Sequence, residues 1–145
     1  MTEILLRNRI KNKSLAEIVE VLFSPESFSH SLSGSFEISD FQAPEVIEDK
    51  SIISLVMKRF NFICPAEFQV TDLQKSSMTY VQTKGILKRW EHKMVLVEKE
   101  TAIELQDHIT YEMPFGLFGH LTNDLYFRSE VNEMFYKRLK TLGLK

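Results

Sequence analysis

Residues 90–111 decide the fold: Trp90-Glu91-His92-Lys93-Met94-Val95-Leu96-Val97-Glu98, then Lys99-Glu100, then Thr101-Ala102-Ile103-Glu104-Leu105-Gln106-Asp107-His108-Ile109-Thr110-Tyr111. Both halves alternate apolar and polar residues, the period of a strand with one buried face. Reading Lys99-Glu100 as a two-residue hairpin loop sets Glu98 opposite Thr101. Leu96 then pairs with Ile103, Met94 with Leu105, His92 with Asp107, Trp90 with Ile109 and Lys88 with Tyr111. Trp90, His92, Met94 and Leu96 share a face with Ile103, Leu105, Asp107, Ile109 and Tyr111. Arg89, Glu91, Lys93, Glu104, Gln106 and His108 fall on the other face. This segregation is what an antiparallel sheet with one solvated face requires. The inner face is an apolar wall carrying a few polar groups: His92, Asp107, Tyr111 and Gln82.

Upstream, segments 35–41, 51–63, 65–73, 76–84 and 86–97 are rich in Val, Ile, Thr, Phe and Tyr and read as further strands, with 102–113 the last. The break between 51–63 and 65–73 falls at Cys64-Pro65. Strand 51–63 has apolar residues on both faces, so Phe60 and Phe62 cannot be oriented. Residues 3–10 suggest a first strand. Two short helices follow: Ser14 and Glu17 form a capping box, and Ser24-Pro25-Glu26 reads as a second helix start. From about residue 117 to 142, Leu117, Leu121, Leu125, Arg128, Val131, Phe135, Leu139 and Leu142 recur at helical spacing, predicting one long amphipathic helix. Its start, at Gly116 or near Thr122-Asn123, is left open by the pattern. Lys137, Arg138 and Lys140 suit its C-terminal dipole, and Gly143 supplies a stop. The expected architecture is α+β: about seven antiparallel strands in a curved sheet gripping this helix.

The chain has 145 residues, 43% hydrophobic and 26% charged, the balance of an ordinary globular domain. No linker or repeat divides it, so residues 1–145 read as a single domain. A net charge of −2 excludes a strongly basic nucleic-acid binder. Lys84, Lys88, Arg89 and Lys93, and Arg7, Arg9, Lys11 and Lys13, read as solvated strand faces. No apolar run could cross a bilayer or serve as a signal-peptide core, and the single Cys64 allows no internal disulfide. A cytoplasmic protein, monomeric or weakly dimeric, is the expectation.

Leu105 to Gly119, with Asp107, Tyr111 and then Pro114-Phe115-Gly116 and Gly119, resembles the START-like (SRPBCC) superfamily, in its bacterial ligand-binding branch. Gln82-Thr83-Lys84-Gly85 and Trp90-Glu91-His92 resemble that group's penultimate strand pair, and Phe135 with Arg138 its closing helix. The likeness covers about residues 78–140; Ile86, Met94 and Lys99-Glu100 depart from the pattern. It implies a helix-grip fold of the polyketide cyclase-like kind. It also implies an apolar ligand, such as a lipid, isoprenoid, quinone or polyketide-like compound, held between sheet and helix.

Phe68, Tyr80, Gln82, Trp90, His92, Met94, Asp107, Tyr111, Phe115 and Phe118 are the candidate ligand-binding residues. The aromatic ones serve a cavity or a solid core equally well. His92 and Asp107 are candidate acid/base groups for a cyclase or dehydratase reaction, a ligand anchor, or a buried pair satisfying each other. A third reading is a ligand-free domain acting through a protein partner. No cofactor is expected: Gly116-Leu117-Phe118-Gly119 lacks the Lys-Ser/Thr of a phosphate loop and reads as a joint, with Phe115, Leu117 and Phe118 as lid residues. His30, His92, His108 and His120 lack metal-ligand spacing, and Cys64 lacks a neighbouring base.

Overall fold

The computed structural model describes residues 1–33 and 35–144, apart from the side chains of Leu117, Phe118 and His120. Among these, seven strands form one antiparallel sheet: β1 (Thr2–Ile10), β2 (Glu37–Gln42), β3 (Ile52–Arg59), β4 (Phe62–Leu73), β5 (Ser77–Lys84), β6 (Arg89–Glu98) and β7 (Ile103–Glu112). Their order is β1-β7-β6-β5-β4-β3-β2, so the first two strands form the two edges. Helices α1 (Leu15–Leu22) and α2 (Pro25–Ser33) join those edges. The Ser14–Glu17 capping box opens α1, whose Ile18 and Leu22 are buried. Pro25 begins α2, while the Ser24 hydroxyl donates back to the Val21 carbonyl at 2.8 Å.

The register of the decisive hairpin differs from the expected one by two residues. Glu98 pairs with Ile103, Leu96 with Leu105, Met94 with Asp107, His92 with Ile109 and Trp90 with Tyr111. Glu100-Thr101 form the tip, and the Lys99 N–H donates to the Ala102 carbonyl at 2.8 Å. Moving the tip one residue along leaves Thr101 in water and buries Ala102. A two-residue shift preserves side-chain parity, so the two faces are unchanged. Trp90, His92, Met94 and Leu96 are buried, as are Ile103, Leu105, Asp107, Ile109 and Tyr111.

The expected break at Cys64-Pro65 lies earlier. Phe60 and Asn61 make the turn, with Phe60 in the left-handed region at φ 56°. Pro65 sits inside β4 opposite Val56 of β3. Pairing with β5 begins only at Glu67, opposite Lys84, so Pro65 has a neighbouring strand on one side alone, where a missing N–H is tolerated. In β3, Ile53 and Leu55 face inward.

The C-terminal helix starts at Leu117 and runs as α3 (Leu117–Thr122), a π-helical turn (Asn123–Phe127) and α4 (Arg128–Thr141). The wider π turn rotates the buried stripe. Leu121, Leu125 and Arg128, expected on the apolar face, are exposed; Asn123, Val131, Phe135 and Leu139 are buried. Gly143, at φ 72°, closes α4: its N–H donates to the Lys140 carbonyl and the Leu144 N–H to the Leu139 carbonyl, which satisfies the last carbonyls. The core lies between the concave sheet face and these helices, from Ile4 and Ile18 through Leu55 and Val70 to Leu139.

Candidate functional site

Between the sheet, α2 and α4 lies a hollow of about 670 Å³. Phe28 and Leu32 border it from α2, Phe68, Tyr80 and Trp90 from the sheet, and Val131, Met134 and Phe135 from α4. Antiparallel order brings the ends of β3, β5 and β7 to one end of the sheet, and the mouth opens there. Phe62, Ile86 and Phe115 stand at that rim, all exposed and Phe115 the most so. Arg59 reaches across it from β3 to Glu130 of α4 at 2.9 Å.

The motif residues have local reasons to be where they are. Phe115 and Gly116 both take left-handed backbone, turning the chain from β7 into α3. A side chain at Gly119 would collide with the Pro114 carbonyl, so glycine lets the helix close onto the turn. The Gln82 amide donates to the Leu87 carbonyl at 2.7 Å and lies over Gly85, clamping the β5–β6 hairpin.

One polar string crosses the apolar wall. The Tyr80 hydroxyl lies 2.8 Å from His92 Nδ1, and His92 Nε2 lies 2.7 Å from Asp107 Oδ1. Arg138, from α4, grips the same carboxylate through Nη1 at 3.1 Å and Nη2 at 2.7 Å. His92, Asp107 and Arg138 are each at most 3% exposed. Burial would raise the Asp107 carboxyl, but the Arg138 charge and the His92 hydrogen bond outweigh it and hold the group down at about 2. Burial dominates at His92 and lowers its pKa despite Asp107, so the ring is neutral. Burial also raises the Tyr80 hydroxyl. Packing fixes the ring: Phe135 and Tyr80 meet His92 edge-on at 4.8 and 5.1 Å.

Of the expected site residues, Phe68, Tyr80, Gln82, Trp90, His92, Met94 and Phe115 border the hollow. Asp107 and Tyr111 do not. Asp107 is sealed behind His92 and Arg138, and Tyr111 is fully buried against Trp90 and Phe127, its hydroxyl donating to Asn123. The Asn123 amide donates in turn to Thr2 at 3.2 Å, tying the π turn to the first strand. Phe118 and His120 lie outside the described side chains. Cys64 borders the hollow from β4. Among the described residues no group of three His, Cys, Asp or Glu could hold a metal, and no helix is long and apolar enough to cross a membrane.

Arg138 and Asn123 are the residues the sequence reading missed as parts of this arrangement. Arg138 was placed with Lys137 and Lys140 as a dipole cation, yet it stands three residues after Phe135 and seven after Val131, on the buried stripe itself. That spacing is the signal that finds it.

No family model and no curated protein matches this sequence. Solved structures do. Major latex-like protein 151 from Panax ginseng superposes with a TM-score of 0.70 at 11% identity, covering 97% of this chain and 94% of that one. Norcoclaurine synthase from Thalictrum flavum, a point mutant in complex with a transition-state analogue, gives 0.68 at 12%, covering 97% and 93%. The di-domain aromatase/cyclase StfQ of the steffimycin biosynthetic pathway gives 0.71 at 8%, covering 97% of this chain and 49% of that one. Identities this low speak for the fold alone. Together with the strand order and the terminal helix, they give the chain the helix-grip fold.

Proposed function

We propose that residues 1–145 act as one START-like domain that binds an apolar small molecule, of the lipid, isoprenoid, quinone or polyketide-like kind, in the hollow beneath α4. The carrying observation is the hollow itself: about 670 Å³, bordered largely by aromatic and aliphatic side chains. Small-molecule sites commonly enclose about 300–1,000 Å³ with few polar groups. Affinity would come from apolar burial, at about 25 cal/mol per Å².

The geometry supports binding over acid/base chemistry. Both His92 nitrogens are engaged, and Asp107 has no border with the hollow, so neither is free to take a proton from a bound molecule. The string serves to hold Tyr80 and to tie α4 to the sheet.

Trp90 is the single tryptophan and borders the hollow, so it reports on occupancy. Titration with N-phenyl-1-naphthylamine is expected to quench Trp90 saturably at one probe per chain, and native mass spectrometry of freshly purified protein to reveal an apolar adduct. Non-saturable quenching without any adduct would reject the binding reading and favour the ligand-free one.

A further inference from the structure

We infer that the mouth end of the sheet docks on a lipid bilayer with anionic headgroups, through Phe60, Phe115 and the basic residues on the same turns. The inference stands on the outer surface of the rim and does not need the hollow to be filled. The β3–β4 turn, the β5–β6 turn and the link from β7 into α3 all come to this end of the sheet. Phe60 is 86% exposed at the tip of the first, and Phe115 is 79% exposed in the last. Phe62 and Ile63 after the first turn, and Ile86 in the second, are exposed too. The β3–β4 hairpin runs past the end of β5, whose pairing with β4 begins only at Glu67 and Lys84, so Phe60 projects.

Both phenylalanines stand where the chain itself gains nothing from them. Among the described residues, the non-glycine positions with left-handed backbone are Asn12, Asp40, Lys50, Phe60 and Phe115. The first three are polar and suit water. A bulky ring in that region strains the backbone, and its exposure leaves apolar surface in water. Neither ring joins the hydrophobic core. Phe60 has the Arg59 guanidinium over it, 5.7 Å from the ring centre. Strain and exposure held together at one rim are recovered only where the rings leave water, at an interface with something else.

Charge selects the partner. Residues 58–63, 84–89 and 112–116, the turns with their flanks, carry Lys58, Arg59, Lys84, Lys88 and Arg89, with Glu112 as their one acid. Further back, Glu37 opposes Lys58 in the β2–β3 register, Glu67 meets Lys84 at 3.7 Å and Glu130 meets Arg59 at 2.9 Å. Lys88 meets Glu112 at 3.1 Å. The Lys84 and Lys88 side chains are 77% and 68% exposed against 25% and 33% for their glutamates, so the positive end of each pair is the outer one. Exposed pairs of this kind are weak and yield to a lipid phosphate. Aromatic rings at the depth of the headgroups, with lysine stems laid on apolar surface and ammonium groups among the phosphates, are how proteins hold an anionic membrane surface.

Vesicles of phosphatidylcholine, alone or with about 30% phosphatidylserine, test this by co-sedimentation with wild type and Phe60→Asn/Phe115→Asn. Wild type is expected to bind the anionic vesicles about tenfold tighter than the neutral ones at about 0.05 M salt, and to lose that preference at about 0.5 M. The double variant should bind the anionic vesicles about tenfold more weakly than wild type, because no ring leaves water on docking. Its thermal midpoint should hold or rise, since asparagine suits left-handed backbone better than phenylalanine. A falling midpoint means that the rings pack within the chain, and overturns the inference. So does a double variant that binds as wild type does, or a wild type that binds both compositions equally or neither. If wild type stays off the vesicles and self-associates while the double variant does not, the occupant is a second copy of the chain. Each of these failures leaves the binding reading standing, because naphthylamine titration of wild type reads the hollow separately.

Discussion

Replacing Arg138 by Met tests what the buried ion pair does. The guanidinium holds Asp107 by two hydrogen bonds, at 3.1 and 2.7 Å, and both side chains are essentially sealed. Removing one partner leaves the other charge in a low-dielectric interior, which typically costs about 3–5 kcal/mol. Native domains are stable by about 5–15 kcal/mol, so Arg138→Met removes about a fifth or more of the total. With a urea slope of about 1–3 kcal/mol per M, the midpoint should fall by about 2 M. Trp90 fluorescence follows the transition, since its ring stacks on Phe135 one turn before Arg138. The double variant Asp107→Asn/Arg138→Met keeps an acceptor for His92 and removes both charges; it should recover most of the loss, to within about 1–2 kcal/mol of wild type. Lys137→Met is the control. Lys137 pairs with Glu133 at 2.9 Å on the surface, a contact worth about 0.5 kcal/mol or less. A loss under about 1 kcal/mol in Arg138→Met, or a double variant no better than the single, would refute the view of Asp107 as a charge that depends on Arg138.

Acid should destabilise the protein in two stages. His92 is held neutral when folded, so the unfolded chain takes up its proton first and stability falls as pH drops below about 6.5. Asp107 contributes stability that is present above its unfolded pKa of 3.8 and is lost as pH falls toward its folded value of about 2. That second loss is about 2 kcal/mol, and urea midpoints at pH 7, 5 and 3 should resolve both stages; a flat profile would contradict the burial of His92. Tyr111→Phe strips the donor from the buried Asn123 carbonyl oxygen and should cost about 1–3 kcal/mol in thermal unfolding, with no change in probe binding, because Tyr111 does not border the hollow. Gly143→Ala places a side chain at φ 72° in the closing turn of α4 and should cost about 1 kcal/mol.

Some of this architecture was readable from residues alone, and the reasons are physical. The faces of β6 and β7 follow from alternation, which any even shift of register preserves, so Trp90, His92, Met94 and Asp107 were assigned correctly to the inner face while their partners were not. Alternation carries no information on where along a strand a pair falls; turn chemistry does, and Lys99-Glu100-Thr101 contains no glycine or asparagine to mark its tip. The Cys64-Pro65 break failed for a related reason. Proline reports a missing ladder bond, and β4 outruns β5 at that point, so no bond was there to miss. The π turn left no mark in a pattern read at a fixed helical period, which is why Leu121 and Leu125 were assigned to the wrong face.

Arg138 is different, because its placement follows from two facts already in the sequence. A stripe through Val131, Phe135, Arg138 and Leu142 puts a permanent positive charge on the face of the helix that must be buried. Arginine does not lose its proton to escape that environment, so a carboxylate has to meet it there. Of the two acidic residues on the inner face of the β6–β7 hairpin, Glu98 lies exposed beside its tip and Asp107 is the buried one. Beneath the helix, a buried charge pair whose members lie 31 residues apart therefore docks it on the sheet. His92, held to Asp107 through Nε2, turns its Nδ1 toward the Tyr80 hydroxyl 2.8 Å away, so the pair that docks the helix also orients the polar group nearest the hollow.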